Sequence, residues 1–187
     1  KNYKVWITKF ENKLLNGPND LWIDTKGGIY FTDPFYKRPY WQNRGEEEQP
    51  QQRVYYFSPD RSSVKVVADG FVRPNGIIGN TSSNTLYIAD IGGSKTYSFR
   101  MNADGSLTNK TLFCEMGSDG MTVDNRGNVY LTGKGVTIFD KTGKQIEHIE
   151  IAEPWTANVT FGGKKRNILF ITASKSVYTL KMMVRGL

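Results

Sequence analysis

Four positions carry an amide or carboxylate in the same local setting: Asn19, Asn75, Asp119 and Asn158. Each heads a short apolar run, and they are spaced 56, 44 and 39 residues apart (19 to 75, 75 to 119, 119 to 158). Amide and carboxylate oxygens are hard ligands, so four of them converging on one axis would suit Ca²⁺, Mg²⁺ or Mn²⁺ better than a soft metal. Three neutral amides and one carboxylate leave such a cation under-neutralised; a second carboxylate from outside these units would correct that. A plainer reading competes. Asn75-Gly76 and Asp119-Gly120 are also ordinary tight-turn dipeptides, whereas Asn19-Asp20 and Asn158-Val159 are not.

Other chemistry is poorly represented. The single histidine, His148, lies in Glu147-His-Ile-Glu150 on an expected outer strand, where a surface role is the simpler reading. The single cysteine, Cys114, excludes an internal disulfide and a cysteine-based zinc site, and in Thr111-Leu-Phe-Cys114 it reads as a small buried apolar residue. No Gly-x-Ser-x-Gly elbow is present. Asp33, Asp90 and Asp124 end or follow apolar runs and read as structural or turn residues.

The elements that must position the four residues follow from the repeat. Each unit has an apolar run, a turn rich in Gly, Asn, Lys or Ser, and a second apolar run ending near Asp33, Asp90, Thr132 and Thr172. Two further strand-like runs follow in the first three units and one in the fourth. No segment keeps apolar residues at helical spacing over three turns. An all-β chain with a period of roughly 40–45 residues points to a β-propeller, here of about four blades, with residues 1–187 as one domain. The innermost strand of a blade lines the channel, so the four residues are expected at its mouth. The polar stretch Pro34–Gln52, containing Arg44-Gly-Glu-Glu-Glu-Gln-Pro-Gln-Gln52, is expected to be a surface loop. Lys4-Val-Trp-Ile-Thr-Lys-Phe10 reads as the outermost strand of a blade whose inner strands are absent. Either it closes a four-bladed ring with the last unit, or the chain is part of a larger ring whose open edges would tend to associate.

The net charge is +7, but the basic residues are scattered. The tightest cluster, Lys164-Lys165-Arg166, reads as a solvated hairpin turn and not as a nucleic-acid surface. The balance also suits an anionic small substrate. No apolar run approaches the ~20 residues of a membrane span. A soluble protein is therefore expected; the chain opens at Lys1 without a Met, so its compartment, cytoplasmic or periplasmic or secreted, is not legible from this end.

Three segments carry a family resemblance: Leu15-Asn-Gly-Pro-Asn-Asp20, Arg73-Pro-Asn-Gly76 and Ser118-Asp-Gly-Met121. In order and spacing they resemble the signatures of the gluconolactonase family, which includes regucalcin, also called senescence marker protein. Tyr30-Phe-Thr-Asp-Pro34, Leu86-Tyr-Ile-Ala-Asp90 and Phe170-Ile-Thr-Ala-Ser174 are similar as well. The resemblance implies a six-bladed propeller, of which about two N-terminal blades would precede this chain. It also implies one divalent cation, Ca²⁺ foremost with Zn²⁺, Mn²⁺ or Mg²⁺ as alternatives. Asn75 and Asp119 would be ligands, Asn19 a ligand or substrate contact, and a Glu upstream of Lys1 a further ligand.

The activity implied is hydrolysis of a small-molecule lactone, a sugar lactone of the gluconolactone type; no nucleic-acid or membrane partner is expected from the charge pattern and apolar runs. The cation would polarise the lactone carbonyl and stabilise the developing oxyanion. Asp119 would act as general base on a water or as nucleophile; both roles need an ionised carboxylate. Trp155, and Tyr36 or Tyr40 in the long insertion, are candidate walls for a sugar ring. The same channel chemistry would serve a phosphotriesterase or other esterase, and converging oxygens would also serve a non-catalytic Ca²⁺-binding propeller.

Overall fold

A computed structural model describes residues 3–41 and 45–187. Arg44, at the start of the polar run in the insertion, lies outside the described residues. The chain begins with a two-stranded ribbon, β1 (Lys9–Phe10) and β2 (Lys13–Leu14). Three four-stranded antiparallel sheets follow in meander order. The first holds β3 (Leu21–Ile23), β4 (Ile29–Asp33), β5 (Arg53–Phe57) and β6 (Val64–Ala68). The second holds β7 (Pro74–Asn80), β8 (Thr85–Asp90), β9 (Lys95–Met101) and β10 (Leu107–Cys114). The third holds β11 (Met121–Val123), β12 (Val129–Gly133), β13 (Gly135–Phe139) and β14 (Gln145–Ile149). A three-stranded sheet of β15 (Thr156–Gly162), β16 (Ile168–Ala173) and β17 (Ser176–Lys181) completes the chain. The fold is all-β, with four blades in a propeller arrangement. Among the described residues no helix is long and apolar enough to cross a membrane.

The middle strands read as unbroken apolar runs because both of their faces are covered, and alternation sends successive side chains to different cores. On β8, Leu86 and Ile88 pack toward the first blade with Tyr30, Val54 and Tyr56. Tyr87 and Ala89 pack toward the third with Met121, Val129 and Leu131. On β12 the same division sends Val129 and Leu131 back to the second blade and Tyr130 forward to Val159, Leu169 and Ile171 of the fourth.

The turns follow from local chemistry. Asp24, Asn80 and Asp124 each end an inner strand, and each accepts backbone N–H groups just downstream: from Lys26 and Gly28, from Ser82 and Ser83, and from Arg126 and Asn128. Lys164-Lys165-Arg166 lies in the β15–β16 turn, where Arg166 N–H donates to Gly163 C=O at 2.9 Å.

Two expectations are corrected. Lys4–Phe10 is not one long outer strand; it is irregular up to Thr8 and then folds back on itself as the β1–β2 ribbon. Glu11 and Asn12 both take left-handed conformations (φ 48° and 64°), which makes the tight two-residue turn that reverses the chain there. The insertion is not wholly superficial either. Gln49 is buried, its Nε2 donating to the carbonyls of Phe10 and Lys13 at 3.1 Å each, while its Oε1 accepts from Tyr55 Oη at 3.4 Å. Glu48 Oε2 accepts from Leu14 N–H at 2.6 Å. The end of the loop therefore clamps the ribbon onto the first blade.

Candidate functional site

The innermost strands β3, β7, β11 and β15 surround one axis. Trp22 and Ile23, Ile78 and Gly79, Thr122 and Val123, and Thr160 and Phe161 all line a single cavity of 280 Å³. Asn19, Asn75, Asp119 and Asn158 precede those residues by two to four positions. At about 3.3 Å per residue they stand some ~10 Å further along, at one end of the channel.

Direct contacts tie successive units together at this end. Asp20 Oδ2 accepts the N–H of Ile77, at 3.1 Å, across the seam between the first and second blades. Gly76 N–H donates to the carbonyl of Ser118 at 3.3 Å. A Cβ on Gly76 would lie 2.7 Å from the Asp119 carbonyl oxygen, and one on Gly120 would lie 2.3 Å from Asn158 Oδ1. Neither glycine has a positive φ. The Asn-Gly and Asp-Gly pairs are thus not turn dipeptides. Glycine stands there because the entry of the next blade passes too close for a side chain.

Asn75 is buried at 3% exposure. Its Nδ2 donates to Tyr36 Oη at 3.0 Å, whereas its Oδ1 is buried with no hydrogen-bond partner among the described residues. Leaving such an acceptor unpaired costs on the order of 1–3 kcal/mol, so the site favours a cation or other donor at that oxygen. Asp119 is half-buried, and Trp155 Nε1 donates to its Oδ2 at 3.2 Å. A buried clip fixes the backbone beside it: Thr132 N–H donates to Ser118 Oγ at 2.7 Å, and Gly120 N–H to Thr132 Oγ1 at 3.0 Å. Asn19 is exposed at the same rim, its N–H donating to the Thr32 carbonyl at 3.0 Å. Asn158 is exposed, and its Oδ1 accepts the N–H of Val159 at 2.8 Å.

Of the two tyrosines proposed as walls, Tyr36 reaches the site through Asn75, while Tyr40 is 73% exposed. Burial raises the Tyr36 phenol above its usual range, opposed by the Asn75 hydrogen bond and the charge of Arg73. The guanidinium carbons of Arg73 and Arg38 lie 5.1 and 5.2 Å from the centre of its ring.

Sequence reasoning missed Asp20. Burial, and to a smaller extent the charge of Asp119, raise its carboxyl above the usual value, while the N–H groups of Ile77 and Leu21 act the other way. The one signal was positional: Asp20 stands where the second and third units have Gly76 and Gly120.

The donors that could hold a metal here are amide and carboxylate oxygens, a set suited to a hard divalent cation. No group of three or more His, Cys, Asp or Glu suited to a metal occurs among the described residues. His148 is an exposed residue of the outer strand β14, its Nδ1 3.0 Å from Thr137 Oγ1. A second concave region of 480 Å³, lined by Arg126, Lys164, Lys165 and Arg166, lies at the opposite end of β11 from Asp119.

Asp33 and Asp90 shape the approach to the site. Asp33 accepts the N–H groups of Asn16 and Gly17 at 2.9 and 2.7 Å, and Asp90 those of Val72 and Arg73 at 2.9 and 2.7 Å. Cys114 is buried, and burial pushes its thiol up to about 11. Ellman's reagent at about pH 8 is therefore expected to leave the native protein untouched and to titrate one thiol after denaturation. Rapid native labelling would show that this core opens.

A family model described as SMP-30/Gluconolactonase/LRE-like region matches residues 2–175. The gluconolactonase of Zymomonas mobilis is 28% identical over 198 residues, 97% of this chain and 55% of that protein. Lactonohydrolase oryL of Aspergillus oryzae is 26% identical over 208 residues, 96% of this chain and 47% of that protein. The solved structure of a gluconolactonase from Xanthomonas campestris superposes with a TM-score of 0.85 at 30% identity, covering 94% of this chain and 60% of that one. The chain thus spans about half the length of the curated relatives it matches. With its four blades, its interlocked inner-strand heads and a match over most of its length, the chain belongs to the SMP-30/gluconolactonase/LRE-like family.

Proposed function

We propose that this propeller hydrolyses lactones of sugar acids with the help of one divalent cation. The observation that carries the reading is the buried, unpaired Oδ1 of Asn75, beside Asp119 whose carboxylate is anchored by Trp155. Asn75 and Asp119, with Asn19 at the adjoining head, would hold the cation, which when bound supplies positive charge against the lactone carbonyl oxygen. Trp155 leaves Asp119 Oδ1 as the oxygen that takes a proton from water. That water adds to the carbonyl carbon, the ring C–O bond breaks, and the ring oxygen takes up a proton to leave a hydroxy acid. Trp155 and Tyr36 would flank the sugar ring, and the Asn75–Tyr36 hydrogen bond fixes one wall relative to the amide.

The names of the relatives support the reaction class. Cation dependence rests on the donor set. Gluconolactone hydrolysis can be followed in a pH-stat with Ca²⁺, Mn²⁺, Zn²⁺ or EDTA, using this chain and a version extended at its N-terminus. Catalysis that EDTA removes and one cation restores is expected in the extended version only. Hydrolysis indifferent to EDTA would remove the cation from the proposal; no hydrolysis by either version would remove the lactonase.

A further inference from the structure

The two arginines at the channel mouth have no part in the reaction as written. Arg73 lies two residues before Asn75, and its backbone is fixed on both sides. Its N–H donates to the buried Asp90 carboxylate at 2.7 Å, and its carbonyl accepts from Ile91 N–H at 3.0 Å. Its guanidinium rests on the Tyr36 ring, as does that of Arg38, at 5.1 and 5.2 Å from the ring centre. The two cations are therefore no farther apart than those two distances laid end to end. Both residues are exposed, and neither makes an ion pair with an Asp or Glu among the described residues. The same tyrosine is bonded to Asn75 and feels the charge of Asp119. Two unpaired guanidiniums are thus held on an aromatic platform that opens onto the reacting end of the channel. Stacking leaves the N–H edges of a guanidinium available for the paired oxygens of a carboxylate or phosphate.

We propose that Arg73 and Arg38, carried on Tyr36, form an anion subsite, and that the preferred substrate is a sugar lactone bearing a free acidic group besides the esterified one. The neutral lactone end lies toward Asn75 and Asp119, and the free anion lies against the arginines. This names the substrate class of the site proposed above and rests on that reading for the location of the lactone. A carboxylate and a phosphate share the required chemistry.

Titration calorimetry on the 187-residue chain separates the possibilities without needing turnover. The probes are gluconate, with one carboxylate; glucarate, with a second; 6-phosphogluconate, with a phosphate; and the neutral polyol glucitol. One of the two doubly acidic probes is expected to bind at least about tenfold more tightly than gluconate, with glucitol weakest. Whichever leads identifies the second group as carboxylate or phosphate. Arg73→Gln is expected to bring that probe to within about twofold of gluconate, and Arg73→Lys to restore part of the preference. Arg73 is exposed, and an unchanged thermal melt would show that the variants fold. Equal binding of all three acids, no binding of either doubly acidic probe, or an undiminished preference in Arg73→Gln would each overturn the subsite. Failed lactone hydrolysis with the preference intact would remove the reaction and leave the subsite. Hydrolysis without the preference would do the reverse.

Discussion

Asp119→Asn is expected to lower lactone hydrolysis by about 10²–10⁴-fold, the range general-base catalysis supplies, with the fold unchanged. The substitution keeps the size of the side chain and an oxygen able to accept from Trp155 Nε1, whose bond to Asp119 Oδ2 is 3.2 Å. It removes the carboxylate oxygen proposed to take the proton from water and, with it, the one negative charge among Asn19, Asn75 and Asp119. Cation affinity should therefore fall with the rate, which calorimetry with Ca²⁺ or Mn²⁺ would read separately. The backbone is held by Ser118 and Thr132, not by the Asp119 side chain, so the thermal midpoint should stay close to wild type. Full activity in Asp119→Asn would sink the mechanism. Single turnover in ¹⁸O-water tests the nucleophile route: label in the Asp119 carboxylate marks direct attack followed by water attack on the Asp119 carbonyl carbon, while label only in the product marks water addition to the acyl carbon of the substrate, as the general-base route requires.

The second large effect is on stability, and it reaches the same site indirectly. Asp90 is 3% exposed and accepts three backbone N–H groups: Val72 at 2.9 Å, Arg73 at 2.7 Å and Gly93 at 3.0 Å. Asp90→Ala removes the acceptor and leaves these donors facing the space the buried carboxylate filled. Hydrogen bonds to a charged acceptor contribute about 1.5–3 kcal/mol each, and they are not additive. A total loss of about 3–5 kcal/mol is expected, a large share of the 5–15 kcal/mol typical of a domain. Urea denaturation should show a lower midpoint with little change in slope. Asp90→Asn, with one amide oxygen left to accept, should fall between the two. A loss below about 1 kcal/mol would mean that water or a shifted backbone replaces the carboxylate. Because the Val72–Arg73 segment leads directly into Asn75, the folded fraction of Asp90→Ala should also bind cations and acids more weakly.

Much of the architecture was legible because propeller strands are short, bounded by turn chemistry and repeated. The second apolar runs of the first two units occur as the strands Ile29–Asp33 and Thr85–Asp90, ending where the repeat places their ends, and two further strands follow in each of the first three units and one in the fourth. The features that were not legible depend on partners far away in the chain. Asp20 looks like one more polar residue beside Asn19, and its environment is set by an N–H 57 residues away. Gln49 sits among glutamates and glutamines, and only its bonds to carbonyls 36 and 39 residues earlier account for its burial. The β1–β2 turn rests on a left-handed Glu11, a conformation glutamate seldom adopts and composition does not announce. The orphaned oxygen of Asn75 likewise appears only once Tyr36, 39 residues upstream, has claimed the other end of the amide.

The glycines at 76 and 120 also bear on whether these units are interchangeable. They look like copies of one module, but their seams are not alike. The second and third tolerate no side chain after the leading Asn or Asp, because the next unit's backbone or amide occupies that space. The first carries Asp20 there and uses it to reach Ile77. Moving the first unit's Asn-Asp pair into the second position would drive a carboxylate into the Asp119 carbonyl. Moving the second unit's Asn-Gly pair into the first would leave the Ile77 N–H without its acceptor. The blades therefore have addresses: each is fitted to its neighbour on one side, and the order of the modules is recorded one residue past the site they build together.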